Sequence, residues 1–202
     1  MGVAAGQGVG EHGGVDAGVR GLAQPRRGHF ALGTGYHGDI WLDLDALFLR
    51  PGRLEPYVEW LAERLRVHRV DAVCGPLEGG AFLALGLASR LDAAFLPGYR
   101  NPGAAPGYRL PGVPGGIGGW RVAIADDAVN AGTAIQACYA ELRGGGAVPV
   151  AVAALLALGP ARAAVADTMS LPLYAAGELP SQAWPAGQCP LCASGTPLSD
   201  HT

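Results

Sequence analysis

Leu54, Tyr57, Val58, Leu61 and Leu65 recur at the three- and four-residue spacing that lays one apolar stripe along a helix, so residues 54–66 are expected to form an amphipathic helix. Val70–Cys74 is a short apolar run, followed by the turn-forming stretch Gly75-Pro76-Leu77-Glu78-Gly79-Gly80. Ala81–Leu91 then suits a buried helix and Ala93–Leu96 a strand. The alternation resumes with a strand over Arg121–Asp126, a helix over Ala131–Arg143 that Gly144–Gly146 ends, and the nearly all-apolar strand Val148–Leu158. A strand without polar positions fits the middle of a sheet covered on both faces. Leu171–Ala175 is the last strand candidate. Nearer the start, His29–Leu32 and Asp39–Leu44 are short strand candidates around the turn Gly33–Gly38. Repeated strand–helix–strand order predicts an α/β domain with a central, mostly parallel sheet flanked by helices.

Three stretches fall outside this pattern. Residues 1–27 are Gly-rich and read as a disordered leader. Residues 97–119 hold eight glycines and five prolines and read as a long loop without helix or strand, the kind that is usually functional in a compact domain. Residues 177–202 read as an irregular tail carrying a Cys-x-x-Cys pair. The ordered domain is therefore expected over 28–176.

Length and composition fit that picture, since 202 residues, half of them hydrophobic, bury a substantial single core. A net charge of −3 gives no electrostatic ground for a nucleic-acid partner. No signal peptide or 18-residue apolar span is visible, so a cytoplasmic location without membrane contact is expected. All 14 basic residues are arginine, which removes lysine from the available chemistry. Cys74 and Cys138 lie in apolar runs and read as core thiols.

The most specific signal is Arg121-Val-Ala-Ile-Ala-Asp126-Asp127-Ala128-Val129-Asn130-Ala131-Gly132-Thr133-Ala134-Ile135. An apolar strand ends in two acids, and a turn of small residues opens a helix. Backbone N–H groups at such a turn lack helical partners and point outward, near the positive end of the helix dipole. Asn130 and Thr133 add side-chain donors. The acids cannot themselves bind phosphate; they suit hydroxyl groups or a divalent metal. A ligand with one phosphate and a vicinal diol, ribose 5-phosphate, satisfies both halves.

This stretch resembles the motif that binds phosphoribosyl pyrophosphate (PRPP) in type I phosphoribosyltransferases. The resemblance implies that Asp126 and Asp127 hold the ribose hydroxyls and that residues 128–134 cradle the 5-phosphate. Gly75, Pro76, Leu77, Glu78, Gly79 and Gly80 stand where that family places its pyrophosphate loop. Gly28-His29-Phe30-Ala31-Leu32-Gly33-Thr34-Gly35, followed by Asp39-Ile40-Trp41-Leu42-Asp43, looks like the N-terminal hairpin of the orotate phosphoribosyltransferases, a small hood over the base. The orotate enzymes carry a hairpin lysine, mobile-loop lysines and an arginine after the strand that follows the PRPP helix. Here Gly33 stands near the first, Arg100 and Arg109 are the loop's only cations, and Arg162 stands near the last.

The implied fold is the type I phosphoribosyltransferase fold. The implied function is transfer of ribose 5-phosphate from PRPP, with Mg²⁺, to a nitrogenous base, orotate first, in a homodimer. Asp126, Asp127, Arg100 and Arg109 are the expected catalytic residues, and Phe30, Thr34 and Arg162 the expected contacts to the base. Another base, or a non-catalytic PRPP-binding regulator, remain as alternatives. No metal ligand is assigned. Cys189 and Cys192 supply half of a tetrahedral zinc set, which His201 or a partner subunit would have to complete; a redox pair and a plain turn stay open beside it.

Overall fold

A computed structural model describes residues 9–32, 35–102 and 107–199. Its elements, in chain order, are α1 (Val9–Ala23), β1 (Arg26–Leu32), β2 (Tyr36–Trp41), α2 (Asp45–Phe48), α3 (Glu55–Leu65), β3 (Ala72–Pro76), α4 (Ala81–Leu91), β4 (Ala94–Arg100), β5 (Tyr108–Arg109), β6 (Arg121–Val129), α5 (Thr133–Gly144), β7 (Val148–Leu158), α6 (Ala161–Met169), β8 (Leu173–Leu179), β9 (Ala183–Pro185) and α7 (Pro190–Ala193).

Six strands form the main sheet in the order β5-β4-β3-β6-β7-β8, all parallel except β5. From Ala151 to Leu155 the β7 side chains alternate between two cores. Ala151, Ala153 and Leu155 join Leu61, Leu65, Leu83 and Leu87 on one face, while Val152 and Ala154 join Ile124, Ile135 and Leu142 on the other. That period of two is the geometry of a strand, and it explains why β7 tolerates no polar residue. Each fully buried leucine contributes about 1.5–3 kcal/mol relative to exposure.

The chain runs outward from β3 through α4 to β4, then returns to lay β6 on the other side of β3. The sheet order therefore reverses between β3 and β6, and a crevice opens beyond their carboxyl ends, where open α/β sheets bind ligands. A second, antiparallel sheet, β1-β2-β9, forms the hood. Among the described residues, no helix is long and apolar enough to cross a membrane.

Several boundaries differ from the sequence expectation. The supposed disordered leader contains α1, because a helix rich in glycine can sit very close to its neighbours. A Cβ on Gly18 would meet the Tyr57 hydroxyl at 2.5 Å, and one on Gly177 of β8 would meet Val19 at 2.5 Å. Val19 and Ala23 are fully buried, and Asp16 Oδ1 accepts the Glu178 N–H at 2.8 Å. The 97–119 stretch is not all loop. β4 continues through Pro97 to Arg100 and β5 pairs with it, Tyr99 opposite Arg109, with Tyr108 buried beneath. Two tyrosines suffice to anchor so short a ladder, and average composition hides them. The tail is ordered too: β8 runs to Leu179, β9 adds to the hood, and α7 follows. The second hairpin strand begins earlier than expected, at Tyr36 rather than Asp39, because it pairs with both β1 and β9. An additional helix, α6, follows β7.

Candidate active site

The two turns singled out in the sequence follow β3 and β6, the neighbouring strands between which the sheet order reverses. Parallel pairing with β4 carries β3 through Gly75 and Pro76, both buried, so the turn proper is Leu77–Gly80. Leu77 donates its N–H to the Gly98 carbonyl at 2.9 Å. Gly80 must be glycine: a Cβ there would lie 2.2 Å from the Ala125 carbonyl oxygen and 2.6 Å from the Asp126 Cα. A Cβ on Gly79 would crowd the acids, standing 3.2 Å from Asp127 Oδ2 and 3.4 Å from Asp126 Oδ1.

β6 continues through both acids to Val129, longer than expected, because Asp126, Ala128 and Val129 pair with β7. Asp127 donates its N–H to Asp126 Oδ1 at 3.1 Å, and Ala128 donates its N–H to Asp127 Oδ1 at 2.7 Å. These bonds fix both carboxylates without a cation. Both residues are buried, 8% and 9% exposed. Burial, then the neighbouring Asp127 charge, holds the Asp126 carboxyl well above the ordinary carboxylate value, and burial raises Asp127 as well. The pair is thus primed for a ligand that donates hydrogen bonds or brings positive charge.

Residues 130–132 form the turn into α5. Gly132 has φ +74°, a left-handed conformation that favours glycine, and no side chain caps the helix. Asn130, Ala131, Thr133 and Ala134 are exposed or half-buried around it, whereas the Val129 side chain is buried in the core and offers only backbone to a ligand.

A cleft of about 880 Å³ opens beside Asp127 and Glu78 and is walled by Arg26, Trp41, Asp43 and Asp45. Arg26 was not singled out from the sequence. Only the position of β1 at the mouth of the cleft reveals it. The Phe30 ring, 2% exposed, packs inside the hood 6.2 Å from Trp41, so Trp41 rather than Phe30 faces the cleft. Thr34 lies outside the described residues. Arg162 does not line the cleft; its Nε donates to Glu178 Oε1 at 2.5 Å and its Nη1 to the Leu173 carbonyl. Arg100 does reach the site's edge, donating from Nε to Glu78 Oε2 at 2.9 Å, while Arg109 lies over the Tyr99 ring at 5.0 Å. Cys74 and Cys138 are buried free thiols, as expected, and their mutual hydrogen bond with burial raises Cys138 strongly.

No protein-family model matches the chain. Individual relatives do. The orotate phosphoribosyltransferase of Thermus thermophilus is 30% identical over 86% of this chain and 91% of its own length. That of Caldanaerobacter subterraneus is 26% identical over 85% and 87%. Among solved structures, the orotate phosphoribosyltransferase of Aeropyrum pernix superposes with a TM-score of 0.64 at 25% identity, covering 79% of this chain and 89% of that one. The adenine phosphoribosyltransferase of Thermoanaerobacter pseudethanolicus shares the fold with a TM-score of 0.63 at 19% identity, over 80% and 98%. With the acid pair and the two turns meeting where the sheet order reverses, these likenesses make the chain a member of the orotate phosphoribosyltransferase family and an enzyme of PRPP-dependent phosphoribosyl transfer.

Proposed function

We propose that the acceptor is orotate and that the cleft beside Asp127 is where it meets PRPP. The observation that carries this reading is the buried acid pair, whose Asp127 lines a cleft where the hood side supplies both an aromatic ring, Trp41, and a cation, Arg26. A planar base stacks on the ring, and the orotate carboxylate needs a cation to offset its lost hydration. In this reading Asp126 and Asp127 accept hydrogen bonds from the ribose 2′- and 3′-hydroxyls. The backbone of 128–134, with Asn130 and Thr133, holds the 5-phosphate, and the Glu78–Gly80 turn borders the pyrophosphate. The anomeric carbon's bond to pyrophosphate breaks as its bond to the base nitrogen forms, through an oxocarbenium-like state. Positioning and fixed charge do most of the work. Arg100 and Arg109 close over the leaving group when the 100–109 segment folds in, excluding water.

Glu78, Asp43, Asp45 and Asp127 line this cleft without converging into a ready-made metal cage, so an Mg²⁺ arriving with PRPP would take one or two of these carboxylates beside the pyrophosphate oxygens. Bound with PRPP, the ion would neutralise part of the pyrophosphate charge. A homodimer is also proposed. Phe82 and Leu85 of α4 are exposed, and with Phe48 they border an apolar groove of about 500 Å³. Sedimentation at micromolar concentration tests that, and a monomer would refute it. The acceptor is tested by pyrophosphate release from PRPP with orotate, uracil and adenine at matched concentrations. Orotate should react fastest; faster turnover of a neutral base would overturn orotate while leaving phosphoribosyl transfer intact.

A further inference from the structure

Under the hood, away from the acid pair, four side chains converge that the transfer reaction does not use. His29 comes from β1, His37 from β2, and Cys189 and Cys192 from the tail. Their potential ligand atoms all lie within 4.8 Å of one another. His29 Nε2 is 3.0 Å from His37 Nδ1, 3.4 Å from Cys189 Sγ and 3.7 Å from Cys192 Sγ, and His37 Nδ1 is 3.2 Å from Cys192 Sγ. We propose that these four residues form a structural zinc site that fastens the C-terminal tail to the hood.

Three independent features support this. The first is the spacing. Zinc bonds of about 2.0–2.1 Å to nitrogen and about 2.3 Å to sulfur make tetrahedron edges of roughly 3.3 Å between nitrogens and roughly 3.6 Å between nitrogen and sulfur. The observed N···N separation of 3.0 Å and N···S separations of 3.2–3.7 Å fall within a few tenths of those edges.

The second is the protonation of His29. Its Nδ1 lies 2.8 Å from the Thr196 carbonyl oxygen, which can only accept, so Nδ1 carries the proton. In the neutral ring Nε2 then presents its lone pair to His37 and both sulfurs. A backbone carbonyl that orients the far nitrogen of an imidazole is the usual support of a metal-bound histidine. His29 is 1% exposed, so an orienting purpose is consistent with its complete removal from solvent.

The third is the local chain path. Phe30 pairs with Gly38 and Ala31 with His37, which places His29 diagonally opposite His37 on the same face of the hairpin. β9 pairs with β2, Trp184 opposite His37, and the chain then folds back so that both cysteines meet that face. After Cys192 the Gly195 N–H donates to the Cys192 carbonyl at 3.0 Å, with Gly195 at φ +73°, and Ser199 donates its N–H to the His29 carbonyl at 2.6 Å. Two thiolates and two imidazoles in a closed tetrahedral set select zinc over the hard cations that a carboxylate cleft takes. The staple would hold the β1–β2 hairpin, whose open end carries the paired Arg26 and Trp41, and hence one wall of the cleft.

The test uses the full chain, without a polyhistidine tag, purified under reducing conditions and dialysed against metal-free buffer. Plasma mass spectrometry should find about one zinc per chain. Replacing the two least buried ligands, in His37→Ala and Cys192→Ser, should remove most of it, whereas His68→Ala, whose imidazole meets Tyr174, should keep it. Should those variants fail to fold, the wild type still decides. Refilled with Co²⁺ after chelation, it should show the strong visible bands and thiolate charge-transfer absorption of a tetrahedral site. Two of its four thiols should react with a thiol reagent only after chelation. Wild-type protein with far less than stoichiometric zinc and no tetrahedral cobalt spectrum would overturn the proposal. So would a Cys189–Cys192 disulfide trapped by alkylation during isolation.

Discussion

The acid pair at the end of β6 is buried, whereas the histidine–cysteine cluster under the hood runs from buried His29 and Cys189 to exposed Cys192, and the built-in electrostatics of the two also differ. Asp126 and Asp127 are neighbours of like charge, held by the backbone N–H groups of Asp127, Ala128 and Gly80, and burial raises both carboxyls. The cluster joins residues 160 positions apart, and its groups accept from and donate to one another. The first arrangement costs the fold stability until a ligand arrives, as functional sites commonly do. The second ties distant parts of the chain together. Binding function and structural function should therefore separate cleanly by mutation.

Asp126→Asn with Asp127→Asn is the largest expected effect. Each lost charge-assisted bond to a ribose hydroxyl is worth about 1.5–3 kcal/mol, so PRPP affinity should fall at least a hundredfold. The apoprotein's melting temperature should hold or rise, since two buried like charges are gone. His37→Ala should do the reverse, lowering the melting point, at about 2–4 °C per kcal/mol in a chain of this size, while PRPP affinity changes far less. Calorimetric titration and thermal unfolding on the same samples test both. An Asp variant that unfolds early but binds normally would erase the contrast.

The pH response sharpens it. For a carboxyl whose folded pKa is raised, the folded state favours the proton. The pair's stabilising contribution is therefore present at low pH and is lost as pH rises from the ordinary value of 3.8 through the raised one. A diol donates more strongly to ionised acids than to protonated ones, so PRPP affinity should climb over that same window. Binding isotherms from acid to neutral pH check the sign. Affinity that falls with rising pH would mean the acids act as donors.

The same contrast explains what the sequence revealed. The turn proposed to hold PRPP is contiguous, so the run from Asp126 to Thr133 displayed the strand, the acids and the helix-opening turn together. The sheet was legible for a similar reason: β7 and α3 carry their burial pattern in adjacent residues. The hood cluster was not legible. Cys189 and Cys192 were visible as half a site, but nothing local marks His29 and His37 as the other half; the β1–β2 hairpin brings the histidines together and the β2–β9 pairing leads the tail to them. α1 was hidden because its glycines mimic a flexible leader, although they serve close packing against Tyr57. Arg26 was overlooked because its importance lies in facing a cleft that is formed by residues far along the chain.

Arg100 and Arg109 come next in size. In this structure Arg100 is paired with Glu78 and Arg109 stacks on Tyr99, both at the surface. Replacing both with Ala should lower turnover about tenfold or more if they reach the pyrophosphate on closure, with little change in unfolding. Single-turnover kinetics measure this. Unchanged turnover would reduce the 100–109 segment to an edge ladder.

The smallest effects distinguish the two arginines offered for the acceptor carboxylate. Arg26 opens β1, lines the cleft, and has its guanidinium 5.9 Å from the Phe30 ring. Arg162 opens α6 and is already committed to Glu178 and the Leu173 carbonyl, about half exposed at the sheet's far edge. To reach orotate it would have to leave both partners, and an exposed pair such as this is worth only about 0–1 kcal/mol, so the pairing alone does not forbid the move. The position does more, because β8, which carries Glu178, is the strand farthest from β4 and is separated from β6 by β7. Arg26→Ala should raise the orotate KM roughly tenfold and leave the PRPP KM nearly unchanged. Arg162→Ala should shift either constant less than about twofold, in line with a surface substitution. A large rise in orotate KM for Arg162→Ala, with Arg26→Ala silent, would move the carboxylate contact from the hood to the main sheet. It would also imply that α6 closes toward the cleft during turnover.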